Sequence, residues 1–386
     1  MGCLLAIVAS TPYRGDDVIN RNIREIVHAA GQTLPGFTFD LVRTWMTSNG
    51  RFFPGSLTWT YSVFWVFGSR MAYKLVIGLV LIGAIAMFGL FVSRLTGRWK
   101  AGAIFVPIIF ALIQLRAWFD GIVSFAALVP LTAGLSMAAV VILISRRGIR
   151  WTVLASLSYS LALVTYETVF LFAPIMVAIV VWVRRSWYPA LAIAVPALVQ
   201  LGIVATLRFL MPGPAAAAYT MSLEPKTVLV TFVKQSLAAF PLSQWVLAGG
   251  SMPTISADSI VLGVVVAGVP AFLSVAFLGG SPMRASRAEI AVIAVFGAWI
   301  WLSSSAMTAI TLRWQVELPR GQGYISVVYG YFGLALCLLS AYLFAERIVA
   351  NRSARIVAIW RCGSALLITV VVSLTFAGNV AVASLA

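Results

Sequence analysis

Apolar stretches of about twenty residues with almost no charge recur along the whole chain, and the run at 71–95 is one of them. A stretch of that kind spans the hydrocarbon of a bilayer as one helix. Inside hydrocarbon the backbone must satisfy its own polar groups, which leaves helices or closed barrels. The runs are continuous rather than alternating in ten-residue segments, which excludes an outer-membrane barrel. The balance of residues agrees: 61% of the 386 are hydrophobic and 10% are charged, with a mean hydropathy of +1.00. Soluble domains carry about 25% charged residues, so this chain lacks the polar surface of a large soluble enzyme. It is also too apolar for a disordered chain. The sequence predicts an all-α polytopic membrane protein.

Apolar spans are expected at 71–95, 102–118, 122–144, 151–165, 168–183, 187–210, 259–279, 288–309, 323–345 and 362–384. The first twelve residues are apolar but short, and read as a first transmembrane helix whose beginning is missing. The total is about 11 transmembrane helices (10–13), in a single transmembrane domain over 1–386. Segments 151–165 and 168–183 are short, and fit either two tilted spans or one long broken helix. The 225–247 segment carries Lys234 and Gln235 in its middle and reads as an interfacial or re-entrant piece within an outer loop at 211–257. The small Pro/Ala-rich stretch at 212–218 reads as a short loop.

The formal net charge is +16, from 27 Lys+Arg against 11 Asp+Glu. The basic residues gather in short clusters between spans: Arg94, Arg98 and Lys100; Arg146, Arg147 and Arg150; Arg184 and Arg185; Arg284 and Arg287; Arg347, Arg352, Arg355 and Arg361. Placing these in the cytoplasm satisfies the positive-inside bias and contact with anionic membrane lipids. No basic stripe lies on a soluble face, so nucleic acid is not an expected partner. The N-terminus then lies inside and the C-terminus outside. Of the 11 acids, Glu289 and Glu346 fall inside and the other nine outside. Such a bias predicts a functional polar face on the extracytoplasmic side. Arginine outnumbers lysine 23 to 4, which hints at a GC-rich bacterial genome; the expected location is the bacterial inner (plasma) membrane. Cys3, Cys337 and Cys362 are odd in number and scattered, which is no disulfide framework. A single histidine, His28, excludes a multi-histidine metal site.

The first outer loop, 13–56, is the longest polar stretch. Ile23, Ile26 and Val27 recur at helical spacing opposite Arg24, Glu25 and His28, the pattern of an amphipathic helix on the membrane. A second such helix is expected over FTFDLVRTWM, after the Leu34-Pro35-Gly36 turn. The loop opens with Tyr13, Arg14, Gly15, Asp16 and Asp17 and closes with Asn49, Gly50, Arg51, Phe52, Phe53 and Pro54. Two adjacent carboxylates repel, which raises one pKa. Asp16 and Asp17 can therefore supply a general base or hold a divalent cation, Mg or Mn. The plainer reading is an N-cap for a helix starting near residue 18. Tyr166 and Glu167 fall between two apolar runs, where a carboxylate marks function by default or caps a helix beside a basic partner. Arg116 and Asp120 flank another outer turn, as substrate ligands or as an i,i+4 pair. The last outer loop, 310–322, gathers Arg313, Glu317 and Arg320, with Tyr324 just beyond. Arginine forks suit phosphate, and also anchor loops to headgroups. Arg51 and Arg208 can join this cationic set. Tryptophans and tyrosines near these loops read as interfacial belt residues rather than sugar platforms.

With YRGDD after a first helix, then NGRFFP, an outer Tyr-Glu and an arginine-rich late loop, the chain resembles the GT-C superfamily of membrane glycosyltransferases. In particular it resembles its bacterial members that use lipid-linked sugars. The resemblance implies a GT-C-like fold and inverting transfer of a sugar from a polyprenyl-phosphate donor to a glycan, lipid or protein acceptor outside the cytoplasm. It implies Asp16 or Asp17 as the catalytic carboxylate, with Glu167 orienting a sugar or assisting the base. Arg313 or Arg320 would hold the donor phosphate. Arg14, Arg51, Arg116, Asp120, Tyr166 and Tyr324 complete the expected substrate-binding set. The short first helix departs from the family pattern, as does the lack of a soluble domain at the end. No nucleotide-binding glycine motif is present, and a lipid-phosphate leaving group needs none. Competing readings are a glycan ligase or polymerase with lipid-linked donors, and a transporter or flippase. A transporter would place polar groups at the bilayer midplane with an internal repeat. No repeat is visible, and Gln114 and Lys234 are exceptions to charge and polarity at helix ends.

Overall fold

The computed structural model describes residues 2–117, 119–210, 220–248, 252–278 and 285–385. The 212–218 stretch, Arg284 and the side chain of Arg208 lie outside the described residues. Helices account for most of the described residues. Among the described residues the sole extended pairing is an isolated antiparallel bridge between Met221 and Thr311.

Residues 2–66 form five helices. They are α1 (Gly2–Ser10), α2 (Asp17–Asn20), α3 (Ile23–Ala29), α4 (Leu34–Asn49) and α5 (Pro54–Val66). In α3, Ile23 and Val27 are buried while Arg24, Glu25 and His28 are exposed, so the one-sided pattern packs as expected. The Thr33 hydroxyl accepts from Gly36 N to start α4, and Gly50, at φ 59°, ends it. A residue with a side chain resists that left-handed conformation. The next residue, Arg51, is thereby turned toward the bundle.

The bundle follows: α6 (Arg70–Thr96), α7 (Trp99–Leu112), α8 (Leu128–Ser145), α9 (Ile149–Thr165), α10 (Ala173–Arg184) and α11 (Leu191–Leu210). Then come α12 (Pro225–Leu237), α13 (Ser243–Leu247), α14 (Ala257–Gly263), α15 (Val269–Leu278), α16 (Arg287–Ala309), α17 (Leu312–Glu317), α18 (Val327–Val349) and α19 (Ala354–Ala383). Eight of the expected spans form helical segments long and apolar enough to cross a bilayer. The other three form helices of 9, 14 and 17 residues, namely α1, α7 and α9. The 225–247 segment is two short helices joined through Leu242, whose φ is 57°. At 1.5 Å per residue the 13 residues of α12 reach about 20 Å, short of a full crossing.

Helices α16 and α18 pack through glycines. A Cβ on Gly297 would stand 2.6 Å from Gly333 O, and one on Gly333 2.5 Å from Gly297 O. Small residues at such crossings let two backbones approach closely where lipid offers no hydrophobic drive for association. Phe88 of α6 stacks on Phe332 of α18 at 4.5 Å, and Phe91 lies 5.1 Å from Phe296 of α16. Large apolar side chains such as Leu157, Leu198, Phe277 and Leu367 point outward, a surface suited to acyl chains rather than water.

One end of the bundle carries the 13–56 segment. There α8 begins and α9 ends, since Trp59 Nε1 donates to Ala126 O at 2.7 Å and Arg51 reaches Glu167. The chain between them turns at the other end, at residues 146–148.

Candidate functional site

Helix α9 stops at Thr165, and Tyr166 takes an extended conformation, φ −151°. The following turn, Glu167–Phe172, is 3-10 rather than α. This break leaves Glu167 beside the end of the first loop. Arg51 Nε donates to Glu167 Oε1 at 2.8 Å, and Nη2 stands 2.5 Å from the same oxygen. The guanidinium also lies 4.6 Å from the centre of the Phe53 ring. Glu167 is 9% exposed, and its Oε2 is buried with no hydrogen-bond partner. Leaving a buried carboxylate oxygen unmatched costs roughly 1–3 kcal/mol, so its position is one a ligand donor would improve.

The Arg51–Glu167 pair lines a cavity of about 550 Å³. Tyr166 and Tyr324 line it too, with Trp314, Gln200 and the hydroxyl-bearing Ser303, Ser304, Thr308 and Ser326. The rest of its wall is mostly apolar, from Leu171, Val204, Met307 and Ile310. Trp314, of α17, is 3% exposed and stacks on Tyr324 at 3.9 Å. Tyr166 stacks in turn on Tyr329, 6.4 Å away. Of the predicted site residues, the cavity thus gathers Arg51, Tyr166, Glu167 and Tyr324.

The acidic pair lies close by, at the same end, but its members diverge. Asp16 is exposed and occupies the N-cap position of α2 without a side-chain capping bond. Asp17 is fully buried, and Tyr73 Oη donates to its Oδ2 at 2.6 Å. Its Oδ1 is buried without a partner. Burial pushes the Asp17 carboxyl up to about 7, against the opposing pull of the Tyr73 hydrogen bond, the Lys74 charge and the amides of Ala126 and Phe125. Lys74 is itself fully buried and donates to Val123 O at 2.5 Å. Above this group runs the 119–127 segment, in which Phe119, Phe125, Ala126 and Ala127 all have φ between 44° and 56°. Such left-handed backbone costs roughly 1–2 kcal/mol per residue, and persists where neighbours fix it. Here Trp59, Tyr73 and Lys74 supply the fixing bonds. Phe119 packs against Phe125 on one side and against Trp314 and Tyr324 on the other. The segment therefore stands between Asp17 and the cavity.

A divalent ion takes about six oxygen ligands. Asp17 has one oxygen already bound to Tyr73 and Asp16 faces outward, and among the described residues no group of three or more acidic, histidine or cysteine side chains gathers. The two carboxylates therefore do not converge on one point, as joint ligands of Mg or Mn would.

The remaining predicted ligands are engaged with protein. Asp120 is buried, and its carboxylate accepts from the backbone N–H groups of Ile122, Val123 and Arg116. It caps its own turn instead of pairing with the Arg116 side chain. Arg116, 1% exposed, donates to Tyr331 Oη at 2.7 Å, Gly321 O at 2.6 Å, Ser243 Oγ at 3.2 Å and Ala238 O. Arg14 donates to Val382 O at 2.6 Å, Leu385 O at 3.0 Å and Arg116 O at 3.3 Å, joining the first loop to the end of α19. Arg313 forms an exposed i,i+4 pair with Glu317 at 2.9 Å, and Arg320 is exposed nearby. Exposed pairs of that kind stabilise by at most about 1 kcal/mol; the Arg313 guanidinium also stands 4.8 Å from the centre of the Trp314 ring.

Three features escape a reading of the sequence. Trp314, expected in an interfacial belt, is a buried wall of the cavity. Ser303 and Ser304 face the same space from inside an apolar helix. Tyr73 and Lys74 sit in the first turns of a 27-residue apolar helix; a lysine so placed is the one available signal.

The fold and site together describe a multi-pass helical membrane protein with a largely apolar, carboxylate-bearing cavity at its loop-bearing end. No family model and no curated protein matches the chain. Among solved structures, the crystal structure of ArnT from Cupriavidus metallidurans bound to undecaprenyl phosphate aligns over 99% of this chain and 75% of its own. The TM-score is 0.47 and the identity 13%. At that distance no residue role passes from one protein to the other.

Proposed function

We propose that this protein is an integral-membrane glycosyltransferase that moves a sugar from a polyprenyl-phosphate donor to an acceptor on the extracytoplasmic side. The observation that carries this reading is Glu167: a buried carboxylate with one oxygen held by Arg51 and the other unmatched, on the wall of a cavity that is otherwise apolar and aromatic. Such a space admits an isoprenoid-linked sugar, with the ring against Trp314 and Tyr324 and its hydroxyls donating to Glu167 Oε2. The identity of the lipid carrier rests on the sequence resemblance to the GT-C superfamily.

In the transfer, the acceptor hydroxyl oxygen bonds to the anomeric carbon from the face opposite the phosphate. The bond from that carbon to the phosphate oxygen breaks, and the polyprenyl phosphate leaves with the electron pair. A carboxylate takes the acceptor proton, and guanidinium groups stabilise the departing phosphate. Arg51 lines the cavity, and Arg313 and Arg320 sit on the loop beside it. Glu167 is placed to orient the sugar and receive the proton. A second assignment makes Asp17 the base. Its titration near 7 favours that role, and it requires the 119–127 segment to move aside.

The test uses detergent-solubilised protein with radiolabelled polyprenyl-phosphate sugar and cell-envelope acceptor. Label transferred without any sealed compartment is the expected result, lost in Glu167→Gln. Lipid-linked sugar that moves only across sealed vesicles, with no covalent transfer, would replace the enzyme with a flippase.

A further inference from the structure

At the end of the bundle opposite the cavity, two connections come together: residues 146–148 between α8 and α9, and residues 185–190 between α10 and α11. The 17 residues of α9 put about 25 Å between this end and Glu167. Arg147 and Arg184 line one cleft there, of about 320 Å³, with Thr152, Ser186 and Tyr188. Arg146 and Arg185 stand on the same two connections, and Arg150 in the first turn of α9. No acidic side chain lines the cleft. The ion pairs of Glu167 and Glu317 lie elsewhere. Arg147 and Arg184 are near enough for each charge to oppose the other, an arrangement that an anion between them relieves. Two guanidinium forks and three hydroxyl groups match the oxygens of a phosphate group. Trp151, Trp187 and Tyr188 are exposed around it, at 40%, 68% and 54%. Amphipathic rings in that position mark the depth of lipid headgroups.

We propose that the Arg147–Arg184 cleft binds a phosphate-bearing anion at the headgroup level of the membrane. The site is separate from the transfer cavity, and it stands whether or not that cavity moves sugars. Two sources share the chemistry: the headgroup of an anionic phospholipid and free phosphate.

Protein in nanodiscs of phosphatidylcholine with phosphatidylglycerol, released into native mass spectrometry, should retain about one phosphatidylglycerol. In a parallel arm, inorganic phosphate is titrated against detergent-solubilised protein. Retention of phosphatidylglycerol that phosphate fails to displace identifies the lipid as the source; binding of phosphate alone identifies the free anion. The R147Q/R184Q variant should weaken whichever binds by about 30-fold, taking each arginine near a membrane surface at its usual strength. Ser186→Asp, which sets a negative charge in the cleft and leaves both arginines in place, should weaken it as well. R352Q/R355Q, in another exposed basic cluster, should change it less than twofold. The proposal fails if neither probe binds, if R147Q/R184Q binds as wild type does, or if R352Q/R355Q loses as much, since binding would then be general attraction to positive charge.

Discussion

Glu167 and Asp17 are both buried acids, and their surroundings give them different behaviour. Glu167 has a cation in contact, so its charge is compensated and its unmatched oxygen is free for a ligand. Replacing it by glutamine keeps the shape and removes the charge. Transfer should fall at least about 100-fold, the usual weight of a positioned proton acceptor, and the melting temperature should fall as well, because the Arg51 charge loses its partner. Asp17 has no such contact and binds its proton up to about 7, against 3.8 in the unfolded chain. Between those values the folded state holds a proton that the unfolded state has released. Its contribution is therefore fully present below about 4 and is lost as pH rises through 7. Thermal unfolding in detergent should show about 1.4 kcal/mol less stability at pH 8 than at pH 6 from this group. Asp17→Asn should abolish that difference. If Asp17 is also the base, the pH–rate profile rises through about 7 in wild type and in the residual activity of Glu167→Gln, and not in that of Asp17→Asn. Arg51 and Glu167 are each visible in the sequence as charges beside apolar runs. Their pairing, across 116 positions, is not, because no local pattern links the end of a loop to a break between two distant helices.

Among the elements, the expected spans were readable because twenty apolar residues have one stable conformation in hydrocarbon. Less readable were the places where helices stop. The αL run at Phe125–Ala127 contains no glycine, and nothing local in Phe-Ala-Ala predicts it; the bonds from Trp59 and Tyr73 do. The α16–α18 contact offers a direct check of packing. Gly297→Ala forces a methyl against Gly333 O, Leu336 and the Cys337 backbone. It should destabilise by about 1–3 kcal/mol. Gly83→Ala, in α6, meets nothing within 4 Å, so better helix propensity should leave stability unchanged or raise it by up to about 1 kcal/mol. Thermal unfolding of the two variants side by side separates helix contact from helix propensity.

At the scale of the whole molecule, the proposed orientation rests on the charge distribution along the sequence, and the structure puts the 13–56 segment at the same end as the cavity. Asn49→Cys, at the last turn of α4, should react with an impermeant thiol reagent from the extracytoplasmic face; labelling from the cytoplasm alone would reverse the assignment of faces. Trp314 escaped because composition and position along the chain cannot distinguish a ring at the membrane surface from one turned into a cavity. Arg116 carries a consequence for how such a chain is made. Its acceptors are supplied by residues 122, 127, 205 and 215 positions later. During synthesis the guanidinium therefore waits in or beside the bilayer, without these acceptors, until the ribosome has delivered more than half of the protein. Nascent chains halted before residue 238 should be held by insertion or quality-control factors, whereas those extended past 331 can release themselves by closing the bundle around that one charge.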